Sequence, residues 1–377
     1  PAMWNRLLQK YNGDEMKLQA ELKNAVKERL LEKQNVAIAI NKNKTITFKG
    51  ETVPLYFVSG TELKGDEDFE KNIFSVVEES THTIKCGENN KLYTVRPDLT
   101  FFLNGIYIGY LELKITSNNQ SAQKEGRGKI IKDYLSTVQN FANCEKTIPS
   151  VSTEKKKVMS IFEKAIHLVT SDINETYVLR GVSSFYDSIH QELSQDIPAQ
   201  FESLAPDILK QFKEYPVLPS IKKQTEKFES VMRALYSKKM IEKEILYYNQ
   251  IAYKYKKDKN GKVRTSNTGT LITPRPKQKF GCDKIMMRIK EMLDHESDPN
   301  YYINKLRDEL HTLGITAKKT EEIIAKRLKF CNNMYVYSLL MQYAAGFGKS
   351  NIIGWTALQL KDYRYNGEYA FDKIMLV

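Results

Sequence analysis

From the N-terminus, apolar positions first repeat with a helical period. In residues 14–33 (DEMKLQAELKNAVKERLLEK), Leu18, Leu22, Ala25, Val26 and Leu30 fall on one side of a helix. Extended patterns follow around 36–40, 45–48 and 53–58, and again over 73–77 and 92–96. Residues 95–103 and 106–115 are rich in Phe, Tyr, Ile, Leu and Thr, and Asn104-Gly105 between them is a strong hairpin signal. Apolar residues occupy both faces of this hairpin, so its sheet is expected to be covered on both sides. A helix is expected over 123–143, with strands at 165–170 and 176–179. Pro198, Pro206, Pro216 and Pro219 mark 198–225 as a boundary region. Beyond it, 228–248 reads as helical and 253–271 as a hairpin turning at Asn260-Gly261. Helical patterns then fill 282–294 and 300–329, and no internal repeat is present.

The first hairpin also carries candidate chemistry. RPDLTFFLNGIYIGYLELK holds Asp98, Glu112 and Lys114, an acid followed by an acid and a lysine two residues on. Two carboxylates, Asp98 and Glu112, with the Leu113 carbonyl, suit Mg²⁺, a hard cation that prefers oxygen ligands. Such an ion polarises a scissile phosphate, and Lys114 suits the role of orienting water or countering charge in the transition state. The alternative is an exposed cross-strand ion pair. Register decides between them. A two-residue Asn104-Gly105 loop alone sets Asp98 opposite Leu111 and turns Glu112 to the other face. A shared metal therefore requires an odd loop or a bulge. A three-residue loop with Gly105 left-handed would place Asp98 opposite Glu112, with Cβ atoms about 5 Å apart. Pro97 supplies a local irregularity that could correct the register instead. Glu21, Glu28 and Glu70 are further acids that could approach the metal, although solvated surface charge suits them as well.

A second motif lies near the C-terminus. An apolar run at 336–343 leads into Gly346-Phe347-Gly348-Lys349-Ser350, followed by a helical pattern through Ile352, Ile353, Trp355, Leu358 and Leu360. Strand, glycine loop, Lys-Ser and helix is the context of a phosphate-binding loop. Backbone N–H groups at the helix start would cradle phosphates, Lys349 would reach the β/γ oxygens, and Ser350 would bind Mg²⁺. Tyr343 holds the place of the first glycine of that motif. Residues 371–377 read as a neighbouring strand. No acidic pair follows Ser350, so the sequence reads as a fragment in which ATP hydrolysis is expected to be absent.

Composition adds bounds. The chain has 377 residues, 41% of them hydrophobic, enough for two packed domains. Its formal charge of +12 suits a polyanionic partner through sequence-independent phosphate contacts, equally compatible with a lysine-rich solvated surface. Nothing in it reads bases. Cys86, Cys144, Cys282 and Cys331 are widely spaced, which fits a reducing cytoplasm and neither a disulfide framework nor a zinc site. No apolar run nears the length of a membrane span. His167 and His190 read as structural.

Taken together, the motifs resemble the motor/endonuclease (R) subunit of type I restriction enzymes. RPDLTFFLNGIYIGYLELK looks like that family's P-D…E-x-K nuclease core. PRPKQKFGCDKIMMRIKEML (274–293) is similar to the segment that opens its translocase, and LLMQYAAGFGKSNIIGWTALQLKD resembles its motor motif I. The resemblance implies an α/β chain with a restriction-endonuclease-like (RecB-type) nuclease domain over 1–220. The truncated start of a RecA-like superfamily-2 translocase would then occupy 221–377. It implies Asp98, Glu112 and Lys114 as nuclease residues, Gly346, Gly348, Lys349 and Ser350 as the phosphate loop, and Gln278 as adenine reader. Mg²⁺ and ATP are the implied cofactors. The implied partners are double-stranded DNA and the modification (methyltransferase) and specificity subunits, in a bacterial cytoplasm. One departure stands out. The family's Q-x-x-x-Y helix has Ile130 where Gln is expected before Tyr134, although Arg127, Lys129 and Lys132 in that helix could touch DNA backbone. Two rival readings are a stand-alone helicase-nuclease of DNA repair or phage defence, and a noncatalytic, nucleotide-switched nucleic-acid-binding module.

Overall fold

The computed structural model describes residues 2–31, 36–42, 45–57, 70–86, 91–133, 161–162, 164–179, 213–214, 224–257, 259, 261–329 and 341–374. They form two compact units, Pro1–Thr273 and Pro274–Val377.

The first unit is a mixed α/β body. Helices α1 (Ala2–Lys10), α2 (Glu15–Leu31) and α3 (Val36–Lys42) precede the hairpin β1 (Thr45–Phe48) and β2 (Glu51–Pro54). Strand β3 is Phe74–Glu78, and β4 (His82–Cys86) pairs with β5 (Lys91–Val95) in a separate two-stranded sheet. The main sheet continues with β6 (Leu99–Leu103), β7 (Ile106–Leu113), β8 (His167–Ser171), β9 (Thr176–Leu179) and β10 (Lys213–Glu214). Its spatial order is β10-β9-β8-β7-β6-β3, with β7 and β8 parallel and the other neighbours antiparallel.

Residues 36–40 were expected to be extended and are helical. All five are buried. A short run that is apolar on every side carries no period to separate helix from strand, and its two alanines favour the helix. The expected helix at 228–248 is broken in two, α4 (Gln224–Tyr236) and α5 (Lys238–Lys243), because Ser237 caps α5 by accepting from Met240 N. The expected domain boundary at 220–221 lies outside the described residues. The helices that follow it belong to the first unit: Val231 and Leu235 of α4 are buried against Leu111, Val169 and Val178 of the sheet. A fully buried aliphatic side chain contributes about 1.5–3 kcal/mol, so these contacts bind α4 to the main sheet. The hairpin β11 (Gln250–Lys257) and β12 (Val263–Ile272) closes this unit.

The second unit is helical where it is described, with α6 (Pro276–Asp294), α7 (Pro299–Thr312), α8 (Ala317–Leu328) and α9 (Lys349–Lys361). The pattern expected as one helix over 300–329 divides at Gly314, whose φ of +76° suits glycine. Most of the strand expected at 336–343 lies outside the described residues, and 341–343 form no strand. Nor do 371–374, the described part of the strand expected at 371–377. The strands described in this unit are a two-residue pair, β13 (Arg364–Tyr365) with β14 (Glu368–Tyr369). Among the described residues of this unit there is no RecA-like parallel sheet.

Candidate nuclease site and phosphate loop

Of the two expected routes, an odd loop or a bulge, the hairpin takes the bulge, and it lies in β7 rather than at Pro97. Leu103 pairs with Ile106, so Asn104-Gly105 is a simple two-residue turn. Both turn residues have positive φ, +50° and +75°, the geometry that Asn-Gly favours. Asn104 is further held by its side chain, which accepts from Ile73 N at 2.8 Å and donates to Leu55 O at 2.9 Å. The irregularity lies in β7. Phe102 pairs with Tyr107 but Phe101 with Gly109, leaving Ile108 as the extra residue of a bulge. Gly109 sits at φ +156°, and a Cβ there would stand 2.2 Å from His167 O on β8. Only glycine allows that approach.

The bulge changes which residues face the core. Ile106 and Ile108 pack with α1–α3, whereas beyond the bulge Leu111 packs with Val231 and Leu235. Phe101 touches both clusters, so they share one face of the sheet. Tyr110 and Glu112 therefore point to the opposite face. Leu99 pairs with Leu111, which sets Asp98 opposite Glu112 one residue further on. Asp98 Oδ2 accepts from Leu113 N at 2.6 Å, and Asp98 O accepts from Glu79 N at 2.9 Å. The structure thus brings Asp98, Glu112, Leu113 and Lys114 together.

Glu112 is 2% exposed. A buried carboxylate needs paired charge, and two ammonium groups converge on its Oε1: Lys114 Nζ at 2.7 Å and Lys129 Nζ at 2.6 Å. Lys114 Nζ also donates to Leu113 O at 3.1 Å, and Lys129 Nζ to Arg96 O at 3.2 Å. Local chemistry fixes the helix that carries Lys129. Ser121 Oγ accepts from Lys124 N, while Glu125 Oε2 accepts from Ser121 N at 2.8 Å. Asp172, at the end of β8, accepts from Ala122 N at 2.7 Å and ties the helix start to the sheet. Gly126 lets the helix lie close, since a Cβ there would meet Thr170 Oγ1 at 1.8 Å. Thr170 is the parallel partner of Glu112. Residues 127–133 continue as α-helix and carry Lys129 over this face.

Asp133 also lies in this field. Burial pushes its carboxyl above the usual range; Lys129 opposes the shift and the charge of Glu112 adds to it. Burial, then the charges of Asp133 and Glu112, raise the Tyr110 hydroxyl well above its ordinary value. Motif spacing pointed to neither Asp133 nor the contact of Lys129 with Glu112. The signal available was a helix of lysines and arginine immediately after the E-x-K strand.

For a divalent cation the donor set fits in kind. Asp98 and Glu112 supply carboxylates and Leu113 a carbonyl, all hard oxygen donors, and Mg²⁺ commonly takes one or two carboxylates with water. Among the described residues no cluster of three or more His, Cys, Asp or Glu adds to them. The other candidate acids point elsewhere. Glu21 accepts from Tyr11 Oη at 2.6 Å and lies 3.5 Å from Lys49, Glu28 is exposed, and Glu70 pairs with Lys238 at 2.5 Å. His167 is buried, 3.6 Å from Glu244, and His190 lies outside the described residues.

In the second unit the glycine loop ends at the start of α9. Gly346 and Gly348 have φ of +72° and +84°, and Gly348 is the N-cap. Lys349 and Ser350 are exposed in the first turn, where the leading N–H groups of a helix have no intrahelical acceptor. Gln278, distant in sequence, is brought against the loop. Its Nε2 donates to Phe347 O at 2.6 Å and its Oε1 accepts from Arg275 N at 2.7 Å. Tyr343 stacks on Phe347 with ring centroids 4.6 Å apart, and its hydroxyl lies against Gly281. Tyr343 is absent from the positive-φ residues, so its backbone needs no glycine.

No helix among the described residues is long and apolar enough to cross a membrane. Residues 3–144 match the family model described as the type I restriction enzyme R protein N terminus. No curated protein and no solved structure matches the chain. The matched residues include the whole Asp98–Glu112–Lys114 hairpin and the helix that supplies Lys129. Over residues 3–144 the chain is thus similar to the N terminus of type I restriction enzyme R proteins.

Proposed function

We propose that this chain carries the DNA-cutting site of a type I restriction R subunit, with a RecB-type nuclease domain hydrolysing phosphodiesters with Mg²⁺. The observation that carries this reading is the Ile108–Gly109 bulge, which sets Asp98 opposite Glu112 with Lys114 beside them. Asp98, Glu112 and the Leu113 carbonyl would hold the cation. Bound there, it would supply Lewis-acid polarisation of the phosphate and a more acidic water. Asp98 keeps its carboxylate aligned through Leu113 N. Lys114 balances Glu112 and offers an ammonium proton to charge developing on the phosphate oxygens. The net charge of +12 supports a role in attracting DNA.

The loop at 346–350 would bind ATP phosphates, with Lys349 and Ser350 as the polar groups at the helix start and Gln278 bracing the loop from behind. This part would be the beginning of a superfamily-2 translocase. The modification and specificity subunits are the proposed partners, in a bacterial cytoplasm.

Cleavage of double-stranded DNA by the complete restriction complex, with this subunit as wild type or variant, tests the reading. Asp98→Ala, Glu112→Gln and Lys114→Ala are each expected to lose Mg²⁺-dependent cutting while ATP-driven movement persists. Unchanged cleavage in Lys114→Ala would remove the catalytic assignment.

A further inference from the structure

We infer that Lys129 is a second lysine of the candidate nuclease site, holding Glu112 before a cation arrives and contacting DNA phosphate afterwards. The inference rests on the metal-site reading above and deepens it. Glu112 is the most enclosed member of the site, and both of its ammonium partners use the same oxygen, Oε1. They are not equivalent. The Lys114 side chain is 11% exposed and tied to Leu113 O, whereas that of Lys129 is 38% exposed. Lys129 can therefore leave the carboxylate and enter solvent with a small change in hydration, while Lys114 stays.

A divalent ion shared by Asp98 and Glu112 would compete directly with an ammonium 2.6 Å from Glu112 Oε1. Lys129 would then be released. Its helix start is fixed by Ser121 and Asp172, so the freed side chain can travel only as far as its four-carbon stem allows. Arg127 and Lys132 flank it on the same helix, and three cations along one short helix suit a DNA phosphate as the counter-charge.

Calorimetric titration of the whole chain with Mn²⁺ tests the competition, and DNA binding measured in Ca²⁺ across a salt series tests the phosphate contact. Lys129→Met keeps the stem and removes the charge; Lys129→Ala provides a second variant. Both are expected to bind Mn²⁺ roughly five- to tenfold more tightly than wild type, because a charge-assisted competitor is gone. The slope of log K against log salt for DNA is expected to fall by about one unit. Lys129→Arg should restore the slope. Unchanged or weaker Mn²⁺ affinity in both variants would overturn the inference and leave Lys129 as a structural counter-charge. A distinguishable failure is Mn²⁺ binding that is missing in wild type, or unaffected by Glu112→Gln. That result would remove the metal site itself, and this inference with it.

Discussion

Replacing Gly109 with alanine attacks the feature on which the candidate site depends. At φ +156° an L-residue is strained, which costs about 1–3 kcal/mol. The added methyl would also stand 2.2 Å from His167 O, 3.2 Å from its carbonyl carbon and 3.4 Å from its nitrogen. None of these is the end of a flexible side chain. To relieve the overlap, β7 and β8 must separate in the middle of the sheet, and overpacking of this kind costs a further ~1–3 kcal/mol. A total of about 2–6 kcal/mol is expected, a large part of the stability of an ordinary domain. Gly105→Ala is the control. Its φ is +75° but no atom lies within 4 Å of the built Cβ, so only the left-handed strain of about 1 kcal/mol applies. Urea unfolding followed by circular dichroism gives the two midpoints, and Mn²⁺ calorimetry reports the site. Gly109→Ala is expected to lose both stability and cation binding, and Gly105→Ala only a little stability. A Gly109→Ala protein within 0.5 kcal/mol (the order of a surface change) of wild type, still binding Mn²⁺, would refute the bulge argument.

Three further outcomes are expected. Gly126→Ala should destabilise the first unit through its clash with Thr170 Oγ1, and Thr170→Ala should rescue part of the loss, since the remaining Cβ contact is 3.0 Å; a thermal-melt double-mutant cycle without coupling would contradict this. In the second unit, burial tends to raise Glu291, but hydrogen bonds from Lys305, Arg288 and Tyr301 outweigh it and hold the carboxyl at about 2, below its ordinary 4.5. The folded value is depressed, so this stabilisation is present above pH 4.5 and is lost as pH falls towards 2; urea midpoints measured across that window should show Lys305→Ala less sensitive than wild type. Gly348→Ala would combine a φ of +84° with a Cβ 2.6 Å from Gln278 Nε2, so Gln278 should release Phe347 O; binding of a fluorescent ATP analogue is expected to weaken at least several-fold.

The hairpin, its Asn-Gly turn and most strands of the first sheet were legible because turn chemistry and β-rich runs act locally. The need for an irregularity was legible too, from the parity of Asp98 and Glu112. Its place was not. A bulge at Ile108 depends on how closely His167 approaches Gly109, and that contact joins residues far apart in sequence. The same limit hid the contact of Lys129 with Glu112, which joins a helix anchored through Asp172 and Ala122 to the strand. For 36–40, full burial erased the period that separates helix from strand. Gln278 was identified as a candidate, but its contact with Phe347 required the fold.

The bulge and the charges of the site support one another. Without the extra residue, Glu112 would face the side of the sheet where Leu111 now meets Val231 and Leu235. A carboxylate there would lose Lys129 and, with Lys114 two residues on sharing its face, lie among aliphatic side chains. Desolvating charges in such surroundings costs several kcal/mol per ion. The bulged register leaves the apolar face to Leu111 and gives Glu112 two ammonium partners. Glu112 therefore selects against the unbulged pairing through its own desolvation, while Gly109 makes the bulged pairing sterically possible. The property that suits this carboxylate to hold a cation, a concentrated charge with little access to water, is also what pins the strand that presents it.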